Sequence, residues 1–107
     1  MPRKMMGDYF IDGRVALDPV PLAEGKRATV MYKGLLAKSG ADAIYLHCGY
    51  GHDNWTNVKT IPMTKQTEDT WVAEVPIEGT TKFNFCFKDG ADHWDTNSGL
   101  NWGCEII

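Results

Sequence analysis

No apolar stretch in this chain of 107 residues approaches the ~20 needed to span a bilayer, and the N-terminal MPRKMMGDYF lacks a long apolar core and a cleavage signal. The chain is therefore expected to stay in the cytoplasm and to have no membrane partner. A basic run is also missing. Beyond Arg3 and Lys4 the cations are scattered, and 11 Lys and Arg against 14 Asp and Glu leave a net charge of -3. A mildly acidic surface repels phosphates and gains little from counterion release, which excludes nucleic acid as the expected partner. Cysteine is scarce. Cys48, Cys86 and Cys104 lie far apart with no Cys-x-x-Cys spacing, and an odd count leaves at least one unpaired. Buried thiols in a reducing compartment are the expectation. Without a secretion signal, the sequon NWT at 54–56 reads as coincidence.

Sustained helical periodicity is lacking too, and alternation with period two takes its place. In TWVAEVPI, Trp71, Ala73, Val75 and Ile77 share one face. In KFNFCFKDG, Phe83, Phe85 and Phe87 alternate with Lys82, Asn84, Cys86 and Lys88. ATVMYKG at 28–34 and AIYLHCGY at 43–50 are two further half-buried strands, and NVKTIPMT and NWGCEI are weaker candidates. Asp12-Gly13, Ser39-Gly40, Asp89-Gly90 and Ser98-Gly99 punctuate them as turns. Pro62 and Pro76 lie inside strand-like runs, where a residue without an N–H belongs at an edge, a bulge or a strand end. The length suits one domain. Together these features predict an all-β antiparallel β-sandwich of the immunoglobulin-like kind over 15–107, preceded by a loose N-terminal arm at 1–14.

Within AIYLHCGY, parity puts Ile44, Leu46 and Cys48 on one face and Tyr45 and His47 on the other. If the aliphatic side is the core, His47 points outward, and the adjacent Cys48 cannot pair with it as nucleophile and base. Two tryptophans stand among turn formers, Trp55 in GYGHDNWTN and Trp94 in DHWDTNSG, and both are expected near water. Trp71 belongs to the core by its strand face, and Trp102, in phase with Cys104 and Ile106, is expected to be buried. A loop tryptophan either folds back over a core edge or waits for something flat. A pyranose ring offers C–H patches on its faces and hydroxyls on its rim, so its site needs an aromatic surface and planar side chains that donate and accept. Trp55 and Trp94, with His47, Asp95 and Asn97, supply that inventory, although bases or peptides could also stack there.

A strand ending YLHCGYG, a Trp eight positions after the His, the strand WVAEVPI and then FNFCFKDGADHWDTNSGLNW resemble the starch-binding modules of carbohydrate-binding module families 25 and 53. The resemblance runs from about Val15 to Trp102. It implies a β-sandwich that binds α-1,4-glucans (starch, glycogen, maltooligosaccharides) without catalysis, with no cofactor, as such modules do when appended to amylases or within plant starch synthases. It also implies that His47, Trp55 and Trp94 form the sugar platform, with hydroxyl contacts from Asn97 and Asp95. Where family members often read Trp-Asp-Asn-Asn this chain has Thr96, so no contact is carried over to 96. The 107 residues include no catalytic domain. A free-standing cytoplasmic module is thus expected to meet glycogen or its oligosaccharides and to serve a glycan-active enzyme in trans.

Three rival readings use the same residues. Asp89, Asp92, Asp95 and Asn97 have loop-like spacing for calcium but match no EF-hand, and His47, His52 and Asp53 could be drawn as zinc ligands. A glycosidase needs two carboxylates facing each other at ~5 to 9.5 Å, and nothing marks a partner opposite Asp92 and Asp95. A protein-interaction sandwich would use the exposed tryptophans as interface anchors.

Overall fold

Nine strands and one helical turn make up a computed structural model, which describes residues 14–18, 20, 22–52 and 54–107. In chain order these are β1 (Val15–Asp18), β2 (Arg27–Tyr32), α1 (Leu35–Lys38), β3 (Ile44–Tyr50), β4 (Thr56–Pro62), β5 (Thr64–Lys65), β6 (Trp71–Pro76), β7 (Lys82–Asp89), β8 (Trp94–Asp95) and β9 (Trp102–Glu105). One sheet has the order β1-β2-β6-β5, the other β4-β3-β7-β8, with β9 also paired to β7. Every strand pair is antiparallel. The expected β-sandwich is what the chain forms. The expected arm at 1–14 and the Asp12-Gly13 turn lie outside the described residues, Arg14 excepted.

The inward faces follow the sequence parity. Val30 and Tyr32 of β2 pair with Ala73 and Trp71 of β6, while Leu46 and Cys48 of β3 pair with Phe87 and Phe85 of β7, and all are buried. Tyr32 stacks on Phe87 at 4.0 Å between ring centroids, and Phe87 meets Trp102 edge-on at 5.4 Å, so aromatic contacts cross the core. Each of the three phenylalanines of β7 is fully buried, a contribution of roughly 1.5 to 3 kcal/mol apiece.

The sequence pattern shows neither β1 nor α1, and three further features depart from it. The run NVKTIPMT is two strands in different sheets: β4 ends at Pro62, buried Met63 donates its N–H to the Ile44 carbonyl at 2.9 Å, and β5 then joins β6. Trp94 lies on the two-residue strand β8, paired with Lys88, rather than in an open loop; turn formers on both sides hide so short a strand. Finally, β7 is buried at its centre on both faces, because Asn84 and Cys86 are covered as well as the phenylalanines. Pro62 ends a strand at the open edge of its sheet, and Pro76 closes β6, as proline's missing N–H requires.

Candidate functional site

The outward face of β3 carries His47, and its register partners are Thr60 on β4 and Cys86 on β7. Two residues on, the β3–β4 register shifts at Gly49, and the chain turns through Gly51 at φ +121°. Asn84 donates its amide to the Gly51 carbonyl at 2.7 Å and so anchors this turn to β7. Gly49 has no side chain because Trp55 takes the space: a Cβ there would lie 2.9 Å from Trp55 Cβ and 3.2 Å from Val58. Trp55 therefore lies down on the sheet beside His47, with ring centroids 6.0 Å apart and planes only 30° from parallel.

Trp94 stands across from this pair. Its ring centroid lies 5.2 Å from that of His47 and its plane is turned by 88°, and 45% of the residue is exposed. Lys88, its register partner, holds it there. The ammonium sits 5.1 Å from the Tyr45 centroid and 5.8 Å from the Trp94 centroid, donates to the Asp89 carbonyl at 3.0 Å and pairs with Asp92 at 3.2 Å. A cation over two rings is favourable and fixes both. Burial lowers the pKa of His47, and the Lys88 charge lowers it further, so the imidazole is neutral at neutral pH. Its Nδ1 meets Thr60 Oγ1 at 2.9 Å, which leaves Nε2 for a ligand.

Asp95 and Asn97 are engaged within the protein. Asp95 is only 6% exposed, and its carboxylate accepts the Tyr32 hydroxyl at 2.6 Å. That hydroxyl in turn accepts the Leu36 N–H at 3.0 Å, which ties α1 to β8. Burial and the bond to Asp95 push the Tyr32 phenol pKa up. Gly34 lets the chain pass close by, since a Cβ there would sit 2.9 Å from the Asp95 carboxylate. Asn97, at φ +54°, accepts from Arg14 at 2.8 Å and donates to the Asn101 carbonyl at 3.2 Å. Asp95 is buried and Asn97 half-buried, and these bonds shape the turn after Trp94.

His47, Trp55 and Trp94 are thus brought together, while Asp95 and Asn97 stand behind them as supports. Lys88, Asn84 and Tyr32 are neighbours of this group that the sequence did not single out. Parity alone places Lys88 and Asn84 on the His47 side, but the Tyr32 contact, 63 residues from Asp95, has no local signal. Several members of the sets drawn for a metal are engaged elsewhere. His52 pairs with Glu105 at 3.1 Å, Asp89 with His93 at 2.8 Å, and Asp92 with Lys88; Asp53 lies outside the described residues. Among the described residues no group of three or more His, Cys, Asp and Glu is placed to hold a metal ion.

The sequence profile of the starch/carbohydrate-binding modules of family 53 matches residues 28–85. The chain is also similar to an alpha-amylase of Clostridium acetobutylicum, 33% identical over 90 residues. That similarity covers 83% of this chain but 11% of the relative, so the chain spans about a ninth of the curated protein it matches.

Proposed function

Because the chain belongs to family 53 of the starch/carbohydrate-binding modules, we propose that it binds α-1,4-glucan chains, in glycogen or as maltooligosaccharides, on the surface made by His47, Trp55 and Trp94, without cleaving them. The observation that carries this reading is the set of ring angles. His47 and Trp55 are near-parallel and Trp94 is perpendicular to His47. An α-1,4-linked chain curves, so consecutive glucoses present their C–H faces in different directions, and two aromatic planes at an angle can meet successive residues of it. Flat, rigid rings provide this contact with few rotatable bonds to freeze. His47 Nε2 is free to bond a hydroxyl at the junction.

Similarity to one stretch of an alpha-amylase supports the same ligand class and suggests a role in holding α-glucan for an enzyme that acts on it. Asp95 and Asn97 enter as the residues that set the Trp94 turn. The test is a maltoheptaose titration followed by tryptophan fluorescence, with reducing ends assayed in parallel. Saturable quenching or enhancement with no reducing ends above a heat-killed control is expected. An unchanged spectrum at millimolar glucan would overturn binding, and released reducing ends would overturn the non-catalytic part.

A further inference from the structure

With Asp95 and Asn97 occupied internally, the three-ring surface is rich in stacking area and poor in hydroxyl partners. Trp94 also borders a depression of about 580 Å3 on its α1 side, within the roughly 300–1,000 Å3 range of small-molecule sites. Its walls include Leu35, Ser39, Asp92, His93 and Trp94. Leu35 opens α1 and is 62% exposed, an aliphatic side chain left in water where the helix turns toward β8. Together with Trp94 it gives the depression an apolar side.

The polar side consists of acceptors. His93 Nδ1 meets the Asp89 carboxylate at 2.8 Å, which leaves Nε2 for a ligand hydroxyl. Asp92 spends one carboxylate oxygen on Lys88 at 3.2 Å and keeps the other. Ser39 donates its hydroxyl to the Leu35 carbonyl at 2.8 Å and retains its own lone pairs. Acceptors beside an apolar wall suit a neutral polyol with a C–H face, and the carboxylates of Asp89 and Asp92 repel phosphates and acids.

The geometry points to an additional glucose subsite in this depression, with Trp94 shared between it and the three-ring surface, so that one α-glucan chain runs from Trp55 past Trp94 onto Leu35. This rests on the proposed function and adds a chain-length preference to it. Short oligosaccharides fill the rings alone, and longer ones reach His93 and Asp92.

The experiment compares maltotriose and maltoheptaose by calorimetric titration on the unaltered protein and on Leu35→Ser, with thermal melts as the fold control. The unaltered protein should prefer maltoheptaose, and Leu35→Ser should lose roughly five-fold in maltoheptaose affinity while binding maltotriose unchanged, the scale of a partly buried aliphatic contact. A second readout is the Leu35 methyl resonances, which should shift with maltoheptaose and stay fixed with maltotriose. If both glucans bind but Leu35→Ser binds maltoheptaose as well as the unaltered protein does and the methyls do not move, the subsite is wrong and the three-ring reading stands. If neither glucan binds the unaltered protein, the proposed function fails and the subsite with it.

Discussion

Trp71 and Trp94 carry the same indole and separate stability from binding. Trp71 is buried among Tyr32 and the core of both sheets, whereas Trp94 is nearly half exposed and held by a lysine and a histidine. Trp71→Ala should open a cavity costing about 3 to 5 kcal/mol. Trp94→Ala should cost the fold far less and weaken glucan binding by about 1 to 3 kcal/mol, as stacked aromatics do. Melts and titrations on the two variants check this, and a Trp94→Ala protein that melts like Trp71→Ala yet still binds glucan would make the ring a core lid. His47 supplies the pH dependence. Its folded pKa lies below the ordinary imidazole value, so as pH falls through about 6.5 the unfolded chain takes up the proton first and stability drops. Asp89 acts in the same direction at lower pH. The His93 N–H holds its carboxylate below the usual range, so its stabilising effect is present above the ordinary carboxylate pKa and is lost as acid protonates it. Glucan affinity should be flat above neutrality and decline only when His47 takes up a proton, below its ordinary value; an optimum near pH 5 would contradict the neutral imidazole. The outward direction of His47 was legible because strand parity is strict. The inward fate of Asp95 was not, since its partner Tyr32 is brought near only by the pairing of two sheets.

The bulge and turn between β3 and β4 convert a strand sequence into a ring surface. Gly49 is the residue on which this depends. Gly49→Ala would push a methyl group into Trp55, whose Cβ is 2.9 Å away from that point, and because that Cβ is fixed to the backbone the loop carrying the indole must shift with it. Overpacking of this kind costs typically 1 to 3 kcal/mol, and most of it should appear as lost glucan affinity with a changed near-ultraviolet circular dichroism signal. A variant that keeps full affinity would show that Trp55 is not needed where it lies. The long strands were legible because six or more alternating residues give a clear period. β8 and the β4–β5 switch were not: two residues carry no period, and a change of sheet at Met63 leaves the apolar pattern of the run unbroken. α1 escaped for the same reason, since a single turn is too short to show a spacing of 3.6.

The architecture of the whole molecule, two antiparallel sheets around an aromatic core, was the most legible part, because it follows from where apolar residues recur and where glycines and prolines interrupt them. Its sulfur chemistry follows from the same layering. All three cysteines are free thiols, and burial pushes the Cys48 and Cys86 thiols up to about 11, so little reactive thiolate exists until the sheet opens. The two stand on opposite faces of one sheet, Cys48 toward the core and Cys86 beside His47. They are built-in clocks for two different motions. The rate at which an alkylating reagent caps Cys48 should time separation of the two sheets, and the rate at Cys86 should time exposure of the sheet beneath the ring surface. Mass spectrometry of singly capped protein reads both at once. Glucan resting over His47 should slow the Cys86 clock more than the Cys48 clock, and equal slowing of the two would mean that the ligand stabilises the fold without covering that face.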